Sequence, residues 1–480
     1  MNGPIRKLAV LCALLVGALL VNMSVAFVVS YPALGESQQN RRVLDARFAQ
    51  RRGPIMVGTT AVATSKKVKD RFKYQREYVD GPLYAPITGY YTYYYGATAL
   101  EASESGWLSG QQDELMLDQL INNLAGSEPA GATVETTISA AAQEAAWDAL
   151  DGRKGAVVAL STDTGAIRAL VTSPSYDPNL LATHDLDASK EAWDKLTKAK
   201  DKPMRDRATD EIYPTGSAFK LITAAAALEE GLVADAETPI DATTFTTKQT
   251  SHTIAQRCGG DTITIARAMV VSCNPAFARL GAELGITRLQ EQAAKFGFGT
   301  KPLTEVSSTA SRLYNETAHE GGLDDMQVAM TAIGEFEVGA TPLQMAMVAA
   351  AIQNGGVVMK PYLVQRVLTD DLKTAYQATP EVFGEAISTE TAAALRAMMV
   401  DVVTTGTGSR AAVPGIEVGG KTGTFAPEGS ERRYAWFVAF AAELDIAVCA
   451  FVEGDDIENT DIGGARAAAP IAKAVIEALR

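Results

Sequence analysis

YPTGSAFKLITAAAALEEG, residues 213–231, decides how this chain is read. Pro214, Thr215 and Gly216 interrupt regular structure, and the run from Ser217 onward is rich in helix formers, so the serine is expected at a helix N-terminus. Serine is a favoured cap there and a lysine three positions on is an ordinary solvated side chain, so the pair alone carries little weight. Residues three apart share a helix face, however, which puts the Lys220 amine within reach of the Ser217 hydroxyl. An uncharged amine can take the hydroxyl proton, and free N–H groups at a helix start can hold developing negative charge. Such a lysine must be desolvated or lie near other cations, because its ordinary pKa is far above neutral. Phe219 and Leu221 are apolar neighbours suited to that task.

Other nucleophilic arrangements fall by subtraction. The chain has three histidines, His184, His252 and His319, each in a polar or glycine-flanked context, and no HExxH. A Ser/His/Asp triad is therefore poorly supported, and lysine is the better base for Ser217. No spacing among the 57 acidic residues singles out a glycosidase pair. Two further patches add chemistry. ARAMVVSCNPAFARL places Ser272 and Asn274 at the end of a helical run before Pro275, where a hydroxyl and an amide can relay a proton and hold a substrate amide. GGKTGTF puts Lys421, Thr422, Gly423 and Thr424 on a strand, and a mid-strand glycine marks close approach of another backbone. An extended peptide can pair along such a strand while Lys421 and Thr422 attract its terminal carboxylate. Each patch alone is a weak signal.

Working outward, residues 155–173 read as a hairpin, with strands at 156–160 and 166–171 joined by a Thr-Asp-Thr-Gly turn. IEVGGKTGTFA, YAWFVAFAAE and LDIAVCAFVEG read as three successive strands, and ARAAAPIAKAVIEALR as a closing amphipathic helix. Strands from both ends with helices between predict an α+β domain: one antiparallel sheet with helices on its faces. Ahead of it, the tyrosines of YAPITGYYTYYYGATALE suit half-buried strand surface better than a carbohydrate platform.

The 480 residues carry a formal charge of −14, which argues against nucleic acid as a partner. Residues 8–29 are almost unbroken apolar sequence behind Arg6 and Lys7, long enough to span a bilayer with the N-terminus cytoplasmic. The run is longer than a signal peptide's apolar core and lacks a closing A-x-A site, so an uncleaved anchor is expected. The organisation read from the sequence is a cytoplasmic tail at 1–7, an anchor at 8–29, an N-terminal module at 31–150 and the α+β domain at 151–480. Of four cysteines, Cys12 lies in the anchor and Cys449 in an apolar strand. Cys258 and Cys273 would both face an oxidising compartment, which leaves a disulfide between them open. No C-x-x-C pair points to zinc.

Together, S-x-x-K, S-x-N and K-T-G in this order resemble the set carried by penicillin-binding proteins and serine β-lactamases. GAVVALSTDTGAIRALVTSPSYDPN, the block from PMRDRA to FKLITA, the run at 332–356 and TTGTGSRAA at 404–412 resemble the transpeptidase domain of class B penicillin-binding proteins. NRR and RRGPI resemble the N-terminal module of that class, and the closest likeness is to its actinobacterial penicillin-binding protein A group. The sequence departs from the pattern at Thr215, Ala218 and Asp206, and in GEF at 334–336 where GQ is usual. None of these removes a reacting group; they bear on loop packing and substrate fit.

The resemblance implies a transpeptidase/serine β-lactamase-like fold and a peptidoglycan D,D-transpeptidase that β-lactams acylate, with no metal or organic cofactor needed. It implies Ser217 as nucleophile, Lys220 as base, Ser272 as relay to the departing D-Ala and Asn274 on the peptide amide. Lys421 and Thr422 would bind the carboxylate, with the Ser217 and Thr424 N–H groups as oxyanion hole and Gly423 lining the same strand. Expected partners are stem peptides and lipid-linked precursor polymers, β-lactams, a membrane glycosyltransferase and division proteins. A D,D-carboxypeptidase or β-lactamase would pass the same acyl-enzyme to water, and a β-lactam sensor or division scaffold would not turn over.

Overall fold

The computed structural model describes residues 2–25, 41–115, 130–427, 429–454 and 463–480. Its first helix, Asn2–Val25, is long and apolar enough to cross a membrane and buries none of its surface against the protein. Its 24 residues make about 36 Å at ~1.5 Å per residue, more than a hydrocarbon core of ~30 Å. The helix takes in Arg6 and Lys7, which the sequence reading put in a tail, while residues 26–29 of the expected anchor lie outside the described residues.

Short, nearly continuous apolar runs bounded by turn residues build a five-stranded antiparallel sheet. Spatial order runs Val418–Phe425, Arg433–Ala441, Ile446–Gly454, Gly155–Ser161, Ile167–Ser173, so the two termini of the domain meet in mid-sheet. Every strand of the central three is buried on both faces. Val158, Trp436, Val438, Phe440 and Phe451 point into one core, and Val157, Ala159, Phe437, Ala439 and Val448 into another. Helices Ala140–Leu150 and Ala469–Ala478 close the second face. Helix Pro342–Gln353, buried from Pro342 to Ile352, backs the first, together with Lys220–Glu229, Asn274–Lys295 and Thr389–Thr404. Helix Ala140–Leu150 therefore packs with the sheet, although a cut at residue 150 would assign it to the N-terminal module, because its small apolar face fits the terminal helix.

A second sheet is mixed. In order it holds Thr374–Gln377, Val364–Leu368, Thr133–Thr136, Ile55–Val57, Thr60–Lys67 and Tyr74–Tyr78, with only Ile55–Val57 and Thr133–Thr136 parallel. Two of its strands come from the far side of the α+β domain and lock the two parts together. Beneath it the Glu101 carboxylate is wholly buried and bonds Arg52 Nε at 2.8 Å, Arg76 Nε at 2.6 Å and the Tyr78 hydroxyl at 3.1 Å. Burial pushes the Glu101 pKa up, but the Arg76 and Arg52 guanidiniums outweigh it and hold the group below its ordinary value. The tyrosine run forms a short hairpin, Tyr91–Thr92 with Gly96–Ala97, in which Tyr90 and Tyr93 are buried and Tyr94 is exposed.

Candidate active site

The Ser217 segment is pinned before the serine is reached. Tyr213–Pro214 pairs antiparallel with Gly339–Ala340, and Gly216 then takes a left-handed φ of +50°. A β-carbon on Gly216 would sit 2.5 Å from the Thr424 carbonyl oxygen, so only glycine lets the segment meet the Val418–Phe425 strand this closely. The same holds from the other side: a β-carbon on Gly423 would lie 2.5 Å from the Thr215 carbonyl oxygen and 3.1 Å from the Ala218 β-carbon. The close backbone approach expected at Gly423 is thus made by the protein's own Ser217 turn. Ala218 and Thr215 are fully buried in this contact, which explains the small residue at 218.

Ser217 lies in a 3-10 turn, Gly216–Phe219, and Lys220 opens the α-helix Lys220–Glu229. The expected α-helical N-terminus at Ser217 is corrected accordingly. In a 3-10 turn residues i and i+3 eclipse, so the tighter winding brings the two side chains together as well as an α-helix would. Lys220 Nζ lies 3.0 Å from Ser217 Oγ, donates to the Ser272 carbonyl at 2.8 Å, and approaches Ser272 Oγ at 3.3 Å and Asn274 Oδ1 at 2.5 Å. The Lys220 side chain is wholly buried, with the Phe277 ring 5.6 Å from the amine. Burial, and next the nearby Lys421 ammonium, push its pKa well below the ordinary lysine value, while Glu335 pulls the other way.

Ser272 sits in the turn between helices Ile265–Val270 and Asn274–Lys295, at a left-handed φ of +55°. Asn274 opens the second helix and does not close the first, because Pro275 suits a first helical turn and cannot continue a preceding one. The Asn274 N–H donates to Gln256 Oε1 at 2.8 Å, and Cys273, between the two polar residues, forms a disulfide with Cys258. Lys421 Nζ reaches Ser272 Oγ at 2.8 Å and the Thr422 carbonyl at 2.9 Å. Lys421 is fully buried, and burial lowers its pKa to about 7. The Thr422 hydroxyl meets that of Thr407 at 3.0 Å, and Thr424 Oγ1 accepts the Gly464 N–H at 3.0 Å. All eight expected residues therefore converge: Ser217, Lys220, Ser272 and Asn274 share one amine, Lys421 joins them through Ser272, and Thr422, Gly423 and Thr424 continue the strand.

Such an arrangement, a hydroxyl against a buried amine beside an open strand, suits acyl transfer. Residues 155–477, well over half of the chain, match the penicillin binding protein transpeptidase domain. The chain belongs to the penicillin-binding protein family. Residues 52–134 of this penicillin-binding protein match the penicillin binding protein A dimerisation domain. It is 39% identical to the peptidoglycan D,D-transpeptidase PbpA of Mycolicibacterium smegmatis, over 100% of this chain and 99% of that one. It is 37% identical to the PbpA of Mycobacterium tuberculosis, again over 100% and 99%. An acyl-enzyme complex of penicillin-binding protein A from M. tuberculosis superposes with a TM-score of 0.84 at 36% identity, covering 91% of this chain and 99% of that one. The penicillin G acyl-enzyme of the same protein gives 0.82 at 36% identity, covering 89% and 99%.

Three contributors to the site were not named as such by the sequence reading of this penicillin-binding protein. Gln256 fixes Asn274 from a loop with no motif of its own. Thr407 lies in the TTGTGS run, which the family resemblance did mark out. The loop after Ala332 hooks onto Gly216 through Gly334; the resembling run at 332–356 and the departure at GEF marked the stretch without naming this role. The histidines stay outside the site's hydrogen bonds: His184 pairs with Asp70 and His319 with Glu337, at 2.5 and 3.1 Å. Asp206 accepts from the Thr172 and Thr209 hydroxyls at 2.6 and 2.7 Å, a structural role that supports the segment leading to Ser217.

Proposed function

We propose that this penicillin-binding protein cross-links peptidoglycan as a D,D-transpeptidase in which Ser217 is the nucleophile. One observation carries the assignment: the Ser217 hydroxyl lies 3.0 Å from the amine of Lys220, a lysine that is wholly buried. Desolvation favours the uncharged form of an amine, and that form can accept a proton. Ser217 Oγ attacks the penultimate carbonyl of a D-Ala-D-Ala terminus while its proton moves to Lys220 Nζ. The carbonyl–Oγ bond forms, the bond to the terminal D-Ala nitrogen breaks, and Ser272 passes a proton to that nitrogen. Asn274 holds the peptide amide, Lys421 and Thr422 take the carboxylate, Gly423 brings their strand against the Ser217 turn, and the Ser217 and Thr424 N–H groups hold the oxyanion. The amine of a second stem peptide then displaces Ser217. β-Lactams enter the same first step and stay attached.

The Asn2–Val25 helix anchors the chain, with its N-terminus cytoplasmic and the rest outside. Arg6 and Lys7 support that orientation, and so does the Cys258–Cys273 disulfide, which persists in an oxidising compartment. The N-terminal module spaces the α+β domain from the membrane and offers a surface to a membrane glycosyltransferase or division proteins. Mass spectrometry of the penicillin-treated protein tests the central claim. One penicilloyl adduct on Ser217 is expected; an adduct elsewhere, or none, overturns it.

A further inference from the structure

The loop after helix Asp325–Ala332 brings to the Ser217 turn a carboxyl group that the acylation step does not use. Gly334, at a φ of +79°, ends this helix: its N–H bonds the Thr331 carbonyl and the Glu335 N–H reaches back to the Met330 carbonyl, both at 2.9 Å. That pair of bonds is the left-handed glycine cap. The Gly334 carbonyl accepts the Gly216 N–H at 2.9 Å, and the Thr223 hydroxyl bonds the Ala332 carbonyl at 2.6 Å. The helix end is thus tied both to the residue before Ser217 and to the helix that carries Lys220. A β-carbon at Gly334 would lie 1.9 Å from the Gly216 carbonyl oxygen, so the approach requires glycine. Phe336 follows at a φ of +59°, and a non-glycine residue in that region costs on the order of 1–3 kcal/mol. Glu335 is therefore held between two left-handed residues, one bond away from the reacting turn.

The Glu335 side chain is half-buried, and its carboxyl makes no hydrogen bond or ion pair with the described residues. Burial raises its pKa, while Lys220 and His252 favour its charged form. A carboxylate in this place repels the first substrate, whose own carboxylate is bound for Lys421. The second substrate is different, because its amine is an ammonium ion at neutral pH.

We propose that Glu335 binds the ammonium group of the acceptor stem peptide beside acylated Ser217 and takes one proton from it, so that the neutral amine attacks the ester carbonyl, the carbonyl–Oγ bond breaks and a second amine proton returns to Ser217 Oγ. The proposal rests on the transpeptidase reading and names the residue that selects its second substrate. Ion pairing at a half-buried site makes an incoming cation favoured over neutral nucleophiles, water included.

The test compares wild type, Glu335→Gln and Glu335→Asp. Each is given a thioester analogue of the D-Ala-D-Ala donor with one of two acceptors: a blocked peptide with a free lysine ε-amine, or hydroxylamine, which is largely uncharged at neutral pH. Enzyme-free rates are subtracted, and donor acylation is measured separately. For Glu335→Gln the KM of the lysine acceptor should rise about tenfold, the loss of one ion pair, with a much smaller change for hydroxylamine. Glu335→Asp should recover part of that loss. Equal lysine kinetics in wild type and Glu335→Gln overturn the proposal. An equal fall with both acceptors also overturns it, since that marks a role in shaping the Ser217 turn. If the wild type transfers the acyl group to neither amine, the transpeptidase reading itself fails and takes the proposal with it.

Discussion

The Lys421 amine meets the Ser272 hydroxyl at 2.8 Å, a contact that joins positions 149 residues apart. It places two buried lysines against one serine, since Lys220 approaches the same hydroxyl at 3.3 Å. Two ammonium ions in so dry a space repel, so the pair favours the form in which one amine is neutral. In the proposed mechanism this arrangement separates the roles: Lys220 would serve uncharged, and Lys421 charged when a carboxylate arrives.

The pH dependence of acylation follows from these shifts. Lys220 must lose its proton to act as base, so the second-order rate of penicillin acylation should fall as pH drops through its lowered pKa. Lys421 must keep its proton to pair with the carboxylate, so the rate should also fall as pH rises past about 7. Stopped-flow acylation over a pH series should give a bell. A rate that climbs steadily to pH 10 would contradict the role of Lys421.

Stability should carry the opposite imprint. A buried lysine with a depressed pKa binds fewer protons folded than unfolded, so stability rises with pH between its folded pKa, about 7 for Lys421, and its unfolded value of ~10.4. The melting temperature of the wild type should therefore rise from pH 7 to pH 9, and the rise should shrink in Lys421→Met. An unchanged slope in that variant would place the titrating group elsewhere.

Removing either member of the Ser217–Lys220 pair should be severe. Ser217→Ala should abolish labelling by a fluorescent penicillin, and Lys220→Ala should slow it by about three orders of magnitude or more, because such groups act as a unit. Circular dichroism should show both variants folded. Rapid labelling of Lys220→Ala at neutral pH would mean that the base is another group.

Gly423→Ala tests the fit of strand and turn. Its β-carbon would lie 2.5 Å from the Thr215 carbonyl oxygen, a contact that backbone must yield to relieve. About 1–3 kcal/mol of stability should be lost, and acylation should fall further than the melting temperature alone explains. Wild-type acylation in this variant would show that the Ser217 turn tolerates displacement.

The Cys258–Cys273 disulfide closes a separation of 15 residues, worth about 3 kcal/mol on loop-entropy grounds. Cys273 also separates Ser272 from Asn274, so reduction should loosen both at the amine of Lys220. Mild reduction should lower the melting temperature and slow acylation, and reoxidation should restore both. Acylation that ignores the redox state would assign the bridge to stability alone.

Much of the fold could be read from local pattern. The strands around Val157, Phe437 and Cys449 were legible because short, nearly continuous apolar runs ended at turn residues, the Lys421 strand from its glycine-rich GGKTGTF run, and the terminal amphipathic helix because its apolar face recurs at helical spacing. The packing of Ala140–Leu150 on the sheet was not legible, nor was the entry of Val364–Leu368 and Thr374–Gln377 into the N-terminal sheet. Both depend on which surfaces fit one another, and short-range periodicity holds no record of that. The eight residues that converge at the site were legible through motif order, whereas Gln256 was hidden because a single amide in a loop has no pattern to betray it.

The sequence by itself determined which polar groups would meet at the candidate site, their order, the apolar first helix and the antiparallel sheet, since each rests on side-chain chemistry or local pattern. The tertiary structure alone decided that Lys220 is dry, that Lys421 shares its serine, and that the Gly334 loop hydrogen-bonds to Gly216 next to Ser217. Solvent exclusion and charge proximity are properties of atoms brought together from distant parts of the chain, and only the folded packing fixes those distances.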